Sequence, residues 1–182
     1  MLFENLHQLA LIDPQQAASP LADFVLSSQD ETREGISCLR AIALLGGMPF
    51  HVSKGDLQRI VENTDGDVRL KSASALERQG DGRAMRIEMG MMEQNFLCSS
   101  GTDRSRIARR VARLRSASAL PLLQTMLSDA DAAIRKEAVA GLGRIETAAA
   151  RAELELASMS GYEDVRSRAE ELLRARTPFQ SR

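Results

Sequence analysis

Apolar and small residues in this chain recur at intervals of three and four, the spacing that gathers side chains onto one face of a helix. Val68, Ser72 and Leu76 form one such stripe, Ile134, Ala138 and Leu142 a second, and Val165, Ala169 and Leu173 a third. A shorter amphipathic segment precedes each: Leu57, Ile60 and Val61, then Leu120, Leu123 and Leu127, then Leu154 and Ala157. The pattern predicts helices near residues 2–11, 14–27, 31–45, 54–63, 67–79, 84–97, 104–115, 119–128, 132–144, 148–158 and 163–175. The fold class is therefore all-α, and its unit is helix, tight turn, helix.

The three strong stripes share one frame. A β-branched residue and an arginine follow a short acidic or glycine-containing turn in Asp67-Val68-Arg69, Ala133-Ile134-Arg135 and Asp164-Val165-Arg166. Two weaker copies complete an array. Residues 21–45 offer Leu21, Phe24 and Val25, a turn at Ser28-Gln29-Asp30, then Arg33, Ile36, Leu39 and Ile42. Residues 84–114 offer Met85, Met89, Met92 and Phe96, a turn at Ser99-Ser100-Gly101-Thr102, then Ile107, Val111 and Leu114, with the arginine of the frame out of register near Arg106. Copies spaced by about 28 to 38 residues suit short helical hairpins, each burying its apolar face against its neighbours.

From Ala119-Leu120-Pro121-Leu122-Leu123 through Leu127-Ser128-Asp129, Ile134-Arg135, Ala138-Val139 and Leu142-Gly143, the chain resembles a HEAT repeat of the phycobilisome-lyase-like subtype. The likeness extends over about residues 20–175. It implies a right-handed α-solenoid of about five HEAT-like helical hairpins, as a single domain over residues 1–176, with residues 1–12 as an N-terminal capping helix and a loose tail at 177–182. It also implies that Asp67, Arg69, Arg135, Asp164 and Arg166 are structural, bridging neighbouring repeats or capping second helices. A turn aspartate is in any case a good N-cap, because its carboxylate accepts first-turn amides that otherwise lack a partner.

Composition sharpens this picture. A chain of 182 residues buries enough surface to stand without a metal or disulfide. Aromatic residues make up 3%, which leaves Ala, Leu, Ile, Val and Met to build closely packed helix contacts. A net charge of −1 gives the whole molecule no strong pull toward nucleic acid or an anionic membrane. Cys38 and Cys98 lie among apolar neighbours without CxxC spacing and read as buried free thiols in a reducing compartment. The N-terminal stretch lacks a basic region and carries Glu4 within its apolar run, so it does not read as a signal peptide, and no run of 18 apolar residues occurs. The expected location is the cytoplasm.

Catalysis needs converging titratable groups, and the chain is poor in them. His7 and His51 are far apart, and no phosphate-binding glycine loop, GxSxG elbow or paired-cysteine zinc motif is present. Some HEAT-repeat enzymes bind iron through His-Glu dipeptides, and none occurs here. The expectation is a protein without catalytic residues, metal or cofactor. A lyase-like enzyme remains an alternative, since the resemblance includes lyase-type proteins and DNA glycosylases.

Two concentrations of residues stand out as candidate surfaces. Arg104, Arg106, Arg109, Arg110, Arg113 and Arg115 face the single local acid Asp103, and Arg106, Arg109, Arg110 and Arg113 fall on one helical arc away from Ile107, Val111 and Leu114. Arginines so placed either pair with acids on adjacent repeats, such as Glu77, Asp81 or Glu137, or meet the anions of a partner. Second helices of HEAT repeats line a groove, which by resemblance adds Lys71, Arg78, Lys136 and Arg168 to the patch. The preferred partner is an acidic protein surface or segment; nucleic acid is the alternative, disfavoured by the lack of interleaved aromatics. Met85, Met89, Met92 and Phe96 form a core stripe, from which Met91 points away as a candidate contact in an adaptable groove. The functional expectation is an adaptor or chaperone-like scaffold for protein–protein interaction.

Overall fold

The computed structural model describes residues 2–28 and 32–176. Among these the chain forms eleven α-helices and no strand. They are α1 (Leu2–Ile12), α2 (Pro14–Ser27), α3 (Thr32–Gly47), α4 (Phe50–Asn63), α5 (Gly66–Arg78), α6 (Arg83–Cys98), α7 (Gly101–Ala112), α8 (Leu120–Leu127), α9 (Ala132–Arg144), α10 (Ala148–Ala157) and α11 (Glu163–Arg176). A 3-10 turn, Ala117–Ala119, leads into α8. Every helix predicted from periodicity is present, with the boundaries moved by local chemistry. α4 begins at Phe50 behind Pro49, and α7 begins at Gly101 and stops at Ala112, so Arg113 is its C-cap and Arg115 lies beyond it. The expected tail at 177–182 and the turn residues Gln29 and Asp30 lie outside the described residues.

The chain divides into two compact units, Met1–Glu88 and Met89–Arg182, where the sequence reading takes 1–176 as one domain. In the first unit, Asp13 caps α2 by accepting the amides of Gln15 and Gln16 at 3.1 and 3.2 Å, with Pro14 supplying the fixed φ of the first turn. α2 packs on α3 and α4, and α5 packs on α3 and α4, so two hairpins lie side by side. Their inner faces meet in a core of Leu21, Val25, Ile42, Leu45, Leu57, Ile60 and Leu76. Each such side chain contributes about 1.5–3 kcal/mol by leaving water. α1 covers this core with Phe3, which contacts the Phe24 ring at 5.9 Å, while Leu6 and Leu9 are half-buried. Gln79 ties the end of α5 to the α3–α4 connection, its Nε2 donating to the Met48 carbonyl and Ser53 Oγ, each at 3.0 Å.

In the second unit, α8 packs on α9 and α10 on α11, while α7, α9 and α11 lie in a row, each against the next. Phe96, Val111, Leu122, Leu123, Met126, Ile134, Val139, Leu142, Leu154 and Val165 form the buried interior. Asp131 caps α9 through the Ala133 amide at 2.8 Å, and Thr147 caps α10 through the Ala150 amide at 3.2 Å.

The row is tight because small residues sit where helices cross. A Cβ on Gly141 of α9 would meet the Ala112 Cα at 3.0 Å and Leu123 Cδ2 at 2.8 Å. In the first unit, Gly46 of α3 faces Ala75 of α5, whose Cβ lies 3.0 Å from where a Cβ on the glycine would be. Ala75 and Gly141 both lie six residues after the arginine of the repeat frame, so each unit uses the same crossing point.

One expectation is corrected: Cys38 is buried, but Cys98 is exposed. The stripe of Met85, Met89, Met92 and Phe96 fixes which side of α6 faces inward. Leu97 and Cys98 follow Phe96 by one and two residues, turned about 100° and 200° away from that side. Apolar neighbours in sequence do not by themselves bury a thiol.

Candidate functional site

α7 carries two kinds of arginine. Arg104 belongs to a recurring internal contact. Nε and Nη2 donate to Asp129 Oδ2 at 3.1 and 2.6 Å, and its guanidinium carbon lies 4.1 Å from the Phe96 ring centroid. Arg135 on α9 repeats the arrangement, donating to Asp164 at 3.1–3.3 Å and lying 4.1 Å from the Tyr162 ring centroid. Its Nη1 also donates to the carbonyls of Asp129 and Ala130, at 2.8 and 3.1 Å. In the first unit, Arg69 meets Glu88 at 2.6 Å. Arg166 keeps the local half of the pattern: Nη1 donates to the Ser160 carbonyl at 2.9 Å and the guanidinium pairs with Glu163.

Arg69, Arg104, Arg135 and Arg166 occupy the fourth position of α5, α7, α9 and α11. The frame of the irregular repeat is therefore kept at Arg104, and the expectation that placed it out of register near Arg106 is corrected. A sequence signal for this existed. Gly66-Asp67-Val68-Arg69 and Gly101-Thr102-Asp103-Arg104 both open on a glycine, and both glycines adopt φ +53°, a left-handed geometry that favours glycine. Asp103 stands where the other copies carry a β-branched residue, which hides the match.

The other arginines of α7 point elsewhere. Arg106 is 79% exposed and pairs with Asp103 at 3.1 Å; Arg109 is 61% exposed and lies 3.8 Å from Glu137 on α9. Arg110 is half-buried, with its Nε enclosed, and so departs from the expected common face. It lies at the edge of the arc nearest the buried Val111 and Leu114. Arg113 is exposed at the helix end. Arg106 and Arg109 line a cleft between α7 and α9 of about 490 Å3, together with Gly101, Thr102, Ser105 and Asp131. A second cleft, between α9 and α11, holds Lys136 and Arg168 with Ser167, Glu163 and Glu171, and Arg168 is paired with Glu171. Acids are thus interleaved with the cations along the row, and Glu137 is one of the neighbours anticipated from sequence.

Lys71 and Arg78 are exposed on α5 in the first unit, so the cations expected to form one patch are divided between the two units. Arg78 reaches back over α3, its Nη2 3.1 Å from where a Gly46 Cβ would stand. Met91 is exposed on α6, while Met85, Met89 and Met92 are buried. Asp67 is exposed in the first turn of α5.

Two carboxyls are held below the ordinary aspartate value. For Asp164, burial acts to raise the pKa, but the hydrogen bonds and charge of Arg135 outweigh it. For Asp81, the backbone amide of Arg83 is the main cause, helped by the charges of Arg83 and Lys54 against the effect of burial. Asp81 borders a cleft of about 460 Å3 in the first unit, which Val61, Leu76, Ala84 and Ile87 line on its apolar side and Arg69, Arg83 and Glu62 on its polar side. Among the described residues, no three His, Cys, Asp or Glu side chains converge as a metal site, and no helix is long and apolar enough to cross a membrane.

Residues 97–174, which include α7 to α10 and most of α11, match the family model of HEAT repeats. The match is partial with respect to the whole chain and coincides with the part of the second unit in which the arginine frame recurs. HEAT repeats generally mediate protein–protein interaction. No curated protein shows significant similarity to the chain.

Proposed function

We propose that this protein is a non-catalytic interaction scaffold, an adaptor or chaperone-like accessory subunit, that holds an extended acidic protein segment along the row of α7, α9 and α11. The observation that carries this reading is the exposure of Arg106 and Arg109 side by side in one cleft, each held by an acid that is itself about one-third exposed or more. Exposed ion pairs contribute about 0–1 kcal/mol, so a partner's carboxylates displace Asp103 and Glu137 at little cost to the fold. Arg113 adds charge at the end of α7, Lys136 and Arg168 continue the row, and Arg110 supports it from its inner edge. Met91 offers an apolar contact on α6, and Lys71 and Arg78 supply the corresponding cations on α5 of the first unit.

The test is fluorescence anisotropy at low salt with a labelled oligoglutamate peptide, an oligolysine peptide and a single-stranded oligonucleotide. The acidic peptide is expected to bind, the basic one not, and the double variant Arg106→Glu, Arg109→Glu to weaken binding by about tenfold or more, as loss of charge complementarity does. An oligonucleotide that binds more tightly than the acidic peptide, and loses binding in the same variant, would replace the scaffold reading with nucleic-acid binding.

A further inference from the structure

The α7–α9 cleft has a chemistry more specific than a cationic face. Its lining, Gly101, Thr102, Ser105, Arg106, Arg109 and Asp131, contains no aliphatic or aromatic side chain that would seat an apolar group. Arg106 and Arg109 are three residues apart on α7, which places their Cβ atoms about 5–6 Å from each other. One ligand group can therefore meet both guanidinium groups.

The existing partners decide what kind of group gains by doing so. Arg106 is engaged by one carboxylate, Asp103, at 3.1 Å, and Arg109 by one carboxylate, Glu137, at 3.8 Å. A glutamate or aspartate from a partner that replaces either of them exchanges one monoanion for another. A phosphoryl ester carries about −1.5 to −2 charges and three strong acceptor oxygens, so a single group replaces both carboxylates at once and accepts from both forks.

Further donors stand beside the arginines. Ser100, the N-cap residue of α7, makes no side-chain cap hydrogen bond, which leaves the first-turn amides uncapped at the same end of the cleft. Thr102 adds a hydroxyl, whereas the Ser105 hydroxyl already donates to the Gly101 carbonyl at 3.1 Å. The one carboxylate in the lining, Asp131, is turned onto the Ala133 amide at 2.8 Å, where the N-terminal end of α9 offsets its charge.

We infer that the α7–α9 cleft prefers a phosphorylated residue within the acidic partner segment, with Asp103 and Glu137 as built-in competitors that a dianion displaces more readily than an ordinary carboxylate does; this role rests on the acidic-segment reading of the same face. The competitors reward the charge a ligand brings, and so make engagement of this cleft tighter when the partner is phosphorylated.

The test uses the full chain, isotopically labelled for amide NMR, titrated with three hexapeptides identical except for one central residue: phosphoserine, serine or glutamate, flanked by alanine and glutamate. The phosphoserine peptide is expected to bind at least about tenfold more tightly than the glutamate peptide and to shift amides within 101–109, the difference expected of charge-assisted contacts that only the dianion completes. Glu137→Gln is expected to tighten the phosphoserine peptide about threefold, and Arg106→Ala with Arg109→Ala to abolish its shifts while the rest of the spectrum is kept. Equal affinity for the phosphoserine and glutamate peptides overturns the phosphoryl inference and leaves the acidic-segment reading standing. Failure of both to bind overturns both. Tight phosphoserine binding whose shifts fall outside α7 and α9 also overturns it, as does a Glu137→Gln variant of unchanged affinity.

Discussion

Arg104 and Arg106 sit two residues apart on one helix, and their surroundings divide them into different instruments. The Arg104 side chain is 28% exposed and its acid, Asp129, is 6% exposed. Arg106 and its acid Asp103 both lie mostly in water. The first pair shares a ring face and a second element, α6 with its Phe96 and the turn before α9 with its Asp129. The second pair shares only a turn of its own helix. A rotation of about 200° along α7 thus separates an arginine that joins neighbouring elements from one that presents charge to solvent. What a guanidinium does for the molecule is set by how buried its acid is, more than by how many arginines lie nearby.

The most direct way to break this comparison is to remove an internal arginine. Arg135→Met keeps much of the side-chain volume but strips Asp164 of its partner, the Asp129 and Ala130 carbonyls of a donor, and Tyr162 of the stacked cation. The expected loss is about 3 kcal/mol in urea unfolding, because an acid left without its cation in a mostly buried setting is costly. Arg104→Met is expected to cost about 2 kcal/mol, since fewer bonds are lost. If Arg135→Met cost no more than an exposed substitution, the division between joining and presenting arginines would not hold.

The array was largely legible in the sequence because its signal is local. In the stripe of Val68, Ser72 and Leu76 the last two bury as expected, with Leu76 at 1% exposure and Ser72 at 0%, while Val68 is half-buried against the core. The joining contacts were less legible, because they depend on which residues meet across turns. The pairing of Arg135 with Asp164 spans 29 residues, and that of Arg104 with Asp129 spans 25. Nothing in the periodicity of either helix names the partner. Arg104 itself was obscured by Asp103, which breaks the β-branched-then-arginine pattern, although the glycine three residues before each arginine marks both α5 and α7. The candidate face was legible in part: Arg106 and Arg109 do share a cleft, but Arg110 turns inward and Arg113 falls past a helix end that composition alone did not reveal. An arc drawn on an ideal helix assumes that the helix continues.

Asp164 sharpens the comparison through pH. Its carboxyl is held below the ordinary value of 3.8, so the folded state binds this proton less readily than the unfolded chain does. Stability from the pair is fully present above about pH 4 and is lost as the pH falls through the lowered pKa. Asp164→Asn is expected to cost about 1–2 kcal/mol at neutral pH, the value of a hydrogen bond to a charged group, and the gap to the parent protein should close as the pH falls below about 4. Urea titrations at pH 7, 4 and 2.5 measure it.

The smallest expected effect is the most telling for function. Arg106→Ala and Arg109→Ala each remove a mostly exposed side chain whose acid partner keeps access to water, so stability should change by no more than about 0.5 kcal/mol. Arg106→Ala leaves Asp103 in the first turn of α7, where a negative charge is favoured by the helix end, and this offsets part of the loss. Arg109→Ala leaves Glu137 on α9 without this cation, which raises the local negative charge and should weaken binding of an acidic peptide beyond the loss of one cation. The two variants therefore separate stability from binding: near-parent unfolding curves combined with lost affinity mark a presenting face. Loss of stability comparable to that of Arg104→Met would show instead that these side chains hold α7 to α9, and that the row is joined along its whole length.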